Sequence, residues 1–259
     1  MIFRLIRNDL AQNKLVNVST MLFVTAAAAL ISLSAILAAS LAGALGDFME
    51  TSKTPHYVQM HNGPLHMDRL REFAGRHHGV DSFQVVEFLN VDGAKIRIGD
   101  RTLAESVQDN GFVIQNESFD FLLDLHGQPI RPADGEVHVP LLYGKENRIA
   151  VGDSLAVGGK TFTVAGFLRD SMMNASLSSS KRFLVSERDF TELKASGDAG
   201  TIEYLIEFRL KDPSAIGAFE ADYRNAGLDA NGPAVTLPLF RLLNALSDGI
   251  MIALLLLVG

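Results

Sequence analysis

Five of the seven histidines, His56, His61, His66, His77 and His78, fall within one short stretch. Imidazoles gathered in this way are the raw material of a metal site, which on a helix takes ligands at i and i+4. Here the first three stand five residues apart, which spreads them around a helix or a strand, and Gly63-Pro64 interrupts any helix between them. The spacing favours solvated or internally hydrogen-bonded histidines over metal ligands. Gly158-Gly159-Lys160-Thr161 has the ending of a phosphate-binding loop, but the first glycine that such a loop needs is missing, and the flanking residues read as strands. No serine lies in a Gly-x-Ser-x-Gly elbow. Met172-Met173 suits a soft-metal or peptide-contacting spot, or else a loop or core contact. The absence of cysteine excludes disulfides, thiolate nucleophiles and Cys-ligated metals. These residues describe a chain that is not an enzyme, with an anchored hydrolase as the minority alternative.

The elements around them divide sharply by charge. Leu15 to Gly46 is a run of 32 residues without a formal charge, whereas residues 47–240 hold 19 of the 23 Lys/Arg and 28 of the 30 Asp/Glu. That middle region is acidic, with no basic stripe for nucleic acid. A bilayer core needs about 20 apolar helical residues, and Val18–Ala44 supplies them without a proline. Ala42-Gly43-Ala44 fits a cleavage site, but the apolar run is longer than the roughly 7–15 residues of a signal peptide, so residues 15–46 read as a retained transmembrane helix. Arg4, Arg7 and Lys14 precede it and Asp47 and Glu50 follow, which by the positive-inside rule puts the N-terminus in the cytoplasm and residues 47–240 outside. Ala35, Ala39 and Gly43 recur every four residues and form a candidate helix-packing face. Residues 1–14, with Ile2, Ile6 and Leu10 on one side, read as an amphipathic lead-in on the inner membrane surface. Residues 241–259, apolar from Gly249 onward, read as the start of a second transmembrane helix in a multi-pass protein.

Periodicity organises what lies between. His56–Met60 and Ile202–Leu210 alternate as strands, and Val235-Thr236 is a last short one. Helical spacing marks His66–Phe73, and again Ile216, Phe219, Tyr223 and Ala226 after Pro213. Residues 47–81 and 196–240 therefore suggest one α/β subdomain built from both flanks. Residues 82–195 read as an inserted, mostly-β subdomain. Its strands are expected at Glu136–Val139, Leu155–Val157, Phe162–Leu168 and Phe183–Val185, with a glycine hairpin at Gly158-Gly159 and a helix from Glu187 to Lys194. Ser176–Ser180 reads as an exposed loop. The fold class is α+β.

Three motifs occur in order between the two apolar segments. They are Val139-Pro140-Leu141-Leu142-Tyr143-Gly144, then Ile149-Ala150-Val151-Gly152-Asp153-Ser154-Leu155, then Gly158-Gly159-Lys160-Thr161-Phe162-Thr163-Val164-Ala165-Gly166-Phe167. With Arg7-Asn8-Asp9-Leu10-Ala11-Gln12-Asn13-Lys14 just ahead of the first span, this pattern resembles permeases of the FtsX-like/MacB-like ABC transporter superfamily. The layout of the whole chain agrees, although recognisable motifs cover only about 45 residues and residues 171–182 match nothing in the pattern. The resemblance implies a permease subunit working with a separate cytoplasmic ABC ATPase, which would carry the ATP, so this chain itself needs no cofactor. It further implies a second permease half or a homodimer partner, and membrane lipid around the spans. By position, Arg4, Arg7, Lys14, Phe48 and Phe240 are candidate coupling or membrane-interface residues. The transported substrate is left open, and a single-anchored binding or sensor module is the alternative.

Overall fold

A computed structural model describes residues 14–197 and 199–258, with side chains as far as residue 247. The chain divides into two compact units at Gly46/Asp47.

Helix α1 (Lys14–Thr51) supplies the described residues of the first unit and ends in the second; its 38 residues reach about 57 Å at 1.5 Å per residue. Among the described residues, α1 is the one helix long and apolar enough to cross a membrane. The Thr20, Thr25, Ser32 and Ser34 hydroxyls donate to carbonyls one turn back at 2.7–2.8 Å, which satisfies them within the helix. Ala35, Ala39 and Gly43 are exposed on this helix, as is Lys14 at its start. Arg4 and Arg7 lie outside the described residues.

The second unit is built on one eleven-stranded mixed sheet. Its first part combines the flanks of the region. β1 (Tyr57–Asn62) pairs antiparallel with β10 (Thr201–Leu210) and with the short β11 (Ala234–Thr236), and β10 pairs with β2 (Val80–Val91). Helices α2 (Met67–Arg76) and α5 (Ile216–Asn225) contribute to its core. That core includes Tyr57, Leu70, Phe208, Phe219 and Tyr223, with ring centroids 5.0–6.4 Å apart in mainly tilted and edge arrangements.

The sheet continues through β5 (Asp109–Val113), β9 (Ser180–Val185), β6 (Glu136–Pro140), β8 (Lys160–Leu168), β7 (Ser154–Val157), β3 (Arg97–Ile98) and β4 (Arg101–Thr102). A second core gathers Phe112, Val139, Leu155, Phe162, Phe183 and Leu193. Gly158 and Gly159 form the two-residue β7–β8 turn, both at positive φ (56° and 75°), as a primed hairpin turn demands. Helix α3 (Leu141–Glu146) follows β6. Helix α4 (Glu187–Ala195) begins where the Ser186 hydroxyl accepts from Asp189 N at 3.1 Å. Strand β2 runs straight across the boundary expected near residue 81, so flank and insert share one sheet. Helix α6 (Leu237–Val258) leaves β11 directly and is helical over 22 residues.

Candidate functional site

A buried polar cluster lies where α1 ends and α6 begins. Helix α1 stops in a Schellman motif. Thr54 N donates to Met49 O and Lys53 N to Glu50 O, both at 3.0 Å. The position that favours glycine is held by Lys53 at φ 48°. Phe48 and Met49 are buried in this last turn, and the Arg169 guanidinium lies 4.2 Å from the Phe48 ring centre. The carbonyl of Lys53 accepts from Asp120 N at 3.0 Å, and Ser52 O accepts from Phe121 N at 2.8 Å. Asp120 is itself at φ 56°. Two non-glycine residues in the left-handed region are thus bonded to each other, a strained arrangement that the surroundings must hold in place.

What holds it is Arg182 on β9, 1% exposed. Its Nε and Nη2 donate to the two Asp170 carboxylate oxygens at 2.6 and 2.7 Å, and Nη1 and Nη2 donate to Asp120 at 2.5 and 3.0 Å. One planar fork therefore fastens two loops at once. Asp170 also accepts from Met172 N and Met173 N, so Met172 and Met173 turn inward and are buried. Burial opposes the charge on Asp170, but the Arg182 guanidinium outweighs it and holds that carboxyl below its usual range. The two aspartates in turn hold Arg182 well above its ordinary value despite its burial.

Glu207 on β10 is the third carboxyl. It is fully buried beside Asp120, Gln84 Nε2 donates to its Oε2 at 2.7 Å, and its Oε1 has no partner. Burial first, and then the Asp120 charge, push Glu207 well above the usual carboxylate range. Burial likewise raises Asp120, against the pull of Arg182. A single guanidinium cannot balance three desolvated carboxylates, and Glu207, buried beside the Asp120 charge, is pushed toward its neutral form.

The start of α6 is tied to the same loops. Leu237 N donates to His56 O at 2.9 Å, and Leu237, Phe240 and Asn244 form its buried face. Asn244 Nδ2 reaches Ser171 O at 3.4 Å, while the Ser171 hydroxyl lies 2.7 Å from that of Thr54. His56 Nδ1 accepts from Leu210 N at 2.9 Å. Burial and then Arg209 and Arg241 lower its pKa to about 4. The ten residues after Asp170 lead to Lys181, whose buried Nζ donates to the carbonyls of Ala175, Ser178 and Ser180 at 2.9–3.3 Å. Burial lowers this ammonium to about 8.

Of the residues marked by position, Phe48 and Phe240 are thus both buried at this junction, whereas Lys14 is remote in sequence on an exposed helix start. The histidines disperse. His66 Nδ1 sits 2.8 Å from Asp229 and His77 Nε2 3.2 Å from Asp222, and among the described residues no group of three metal-ligating side chains gathers. Lys160 of the glycine turn bonds Asp189 on α4 instead of facing a phosphate site. Asp120, Asp170, Arg182 and Glu207 were not singled out by sequence. The available signal was a cation or a carboxylate inside apolar strand patterns, Lys181-Arg182 before Phe183-Leu184-Val185 and Glu207 between Ile206 and Phe208. Among the described residues of the junction, the Thr54 and Ser171 hydroxyls bond each other and the Met49 carbonyl, not a histidine or carboxylate. The junction's chemistry is that of a rigid fastening.

No protein-family model matches the chain, and no curated protein matches it. Among solved structures, it is similar to the periplasmic region of MacB from Actinobacillus actinomycetemcomitans, at 13% identity over 80% of this chain and 95% of that one, with a TM-score of 0.38. It is also similar to a putative lipoprotein from Bacillus anthracis (9% identity, 71% and 98% covered, TM-score 0.39). A third likeness is to a domain of a putative permease protein from Porphyromonas gingivalis (12% identity, 68% and 85% covered, TM-score 0.33).

Proposed function

We propose that this chain is a permease subunit of an FtsX/MacB-type ABC transporter, whose external domain receives movement from membrane helices through the buried junction. The observation that carries the proposal is the ending of α1. A helix apolar enough to span a bilayer finishes with Phe48 and Met49 inside the domain and its stop residues bonded to Asp120 and Phe121, and α6 starts from the same fastening. A mere tether would need neither the ion-paired fork nor the strained backbone that connect it to the sheet. The ATP and its hydrolysis belong to a partner ATPase in the cytoplasm. A second permease half or copy completes the assembly.

Because the chain has no native cysteine, single substitutions report topology cleanly. In intact cells, a membrane-impermeant maleimide should label Val151→Cys, while Lys14→Cys should react only after permeabilisation. An ABC ATPase should co-purify with the full protein, and its ATP turnover should change in the combined Arg182→Met, Asp120→Asn and Asp170→Asn variant, which replaces the buried ion pairs by neutral groups. The reverse labelling pattern, or turnover indifferent to the junction, would sink the proposal. A cytoplasmic signalling partner in place of the ATPase would favour a sensor.

A further inference from the structure

Residues 171–180, Ser-Met-Met-Asn-Ala-Ser-Leu-Ser-Ser-Ser, which end the loop between β8 (Lys160–Leu168) and β9, run alongside α6 and carry no charge. The next residue, Lys181, turns its ammonium inward onto three loop carbonyls. The polar atoms that would otherwise be satisfied only by water are thus held internally. The loop presents Ser176, Leu177 and Ser179 outward, with Leu177 50% exposed. The Ser176 and Ser247 hydroxyls lie 3.0 Å apart, which places the loop tip about 15 Å along α6 from its start at Leu237. From Ser247 the uncharged run that begins at Gly249 is only about 3 Å further along the helix axis. The same helix exposes Leu242 and Leu246 at 53% and 47%.

We infer that the loop 175–180 is a membrane-surface contact, in which Leu177 enters the headgroup and upper acyl region of the lipid bilayer beside α6. The inference rests on the proposed reading of α6 as the start of a second span. If Gly249 marks the edge of the hydrocarbon core, the interfacial layer of about 5–7 Å on each side takes in Ser176 and Leu177. A loop at that depth gains from an apolar tip, which Leu177 supplies, and residues 171–180 carry no charge that would have to leave water. The domain would then rest on the lipid as well as hang from its helices.

The chain contains no tryptophan, so a single introduced indole reports its own surroundings. The full-length protein, reconstituted in phosphatidylcholine vesicles, would carry Leu177→Trp, Leu254→Trp or Thr191→Trp in turn. Thr191 on α4 lies beyond the far end of β9, whose six residues span about 20 Å. The expected result is a blue-shifted Leu177→Trp emission, quenched strongly by lipids brominated near the carbonyl end of the acyl chain and weakly by those brominated near the methyl end. Thr191→Trp should be untouched by either lipid and open to iodide. Leu254→Trp quenched while Leu177→Trp stays open to iodide would overturn the inference and leave the second span standing. A blue-shifted Leu177→Trp that no brominated lipid quenches would overturn it in favour of a protein contact. An unquenched Leu254→Trp would remove the span and the inference together.

Discussion

Lys53 occupies backbone that costs a side-chain-bearing residue about 1–2 kcal/mol relative to the right-handed form, yet its ammonium lies over the Phe121 ring at 5.3 Å and its carbonyl anchors Asp120. Lys53→Gly should relieve the strain and raise the unfolding free energy by up to about 1 kcal/mol, less the entropy glycine adds to the unfolded chain. Lys53→Ala, which keeps the strain and loses the ring contact, should lower it. Thermal unfolding of both decides, and a destabilised Lys53→Gly would mean the side-chain contacts outweigh the strain. Glu207 poses a question of charge. Its folded pKa is raised, so its stabilising share is complete below the unfolded value near 4.3 and is lost steadily as pH rises above that. Glutamine cannot ionise, yet it can still accept from Gln84 and donate towards Asp120. Glu207→Gln should therefore flatten the loss of stability between mildly acidic and mildly alkaline pH, measured by denaturant midpoints. Parallel curves for the two proteins would show that Glu207 is not the neutral member.

At the scale of elements, the Arg182 fork joins β9 to the turn at Asp120 and the turn at Asp170. Removing one partner of a buried ion pair typically costs about 3–5 kcal/mol, whereas replacing the whole set by neutral groups is far cheaper. Arg182→Met alone should thus be severely destabilised, and Arg182→Met combined with Asp120→Asn and Asp170→Asn should recover much of the loss in urea unfolding. A triple variant no better than the single would mean that the fork acts by shape and not by charge. The sequence carries some of this architecture openly. Alternation in Ile202–Leu210 announced β10, and Gly158-Gly159 announced the β7–β8 turn, because strand faces and positive φ leave local marks. The twelve residues of β2 went unread, since their burial is graded along the strand and gives no clean alternation. The fork was invisible for a different reason. Asp120 and Arg182 stand 62 residues apart, and no local pattern says which carboxylates a buried arginine will meet. Phe48 and Phe240 were found by position only, and their shared junction emerged from the turns at 116–123 and 168–175.

At the scale of the whole molecule, the proposed function requires the external domain and α6 to move as one body. Ser176 and Ser247 offer a test, with hydroxyls 3.0 Å apart in a chain free of native cysteine. The pair Ser176→Cys and Ser247→Cys should form a disulfide on mild oxidation and leave ATPase-coupled function intact. A function abolished by oxidation and restored by reductant would locate the hinge at the loop instead. The pairing of β1 with β10 has a consequence for how such a protein is made. Tyr57 lies against Phe208, partners separated by about 150 residues, so β1 has no long neighbour until nearly the whole external region has emerged. At 5–20 residues per second, that is a wait of roughly 10–30 s. On the proposed topology the first anchor is then already inserted and the unpaired segment hangs outside the membrane. Its half-made sheet is open throughout that interval to proteases and to wrong partners, so biogenesis of this protein should depend on an escort at the membrane surface more than its finished stability would suggest.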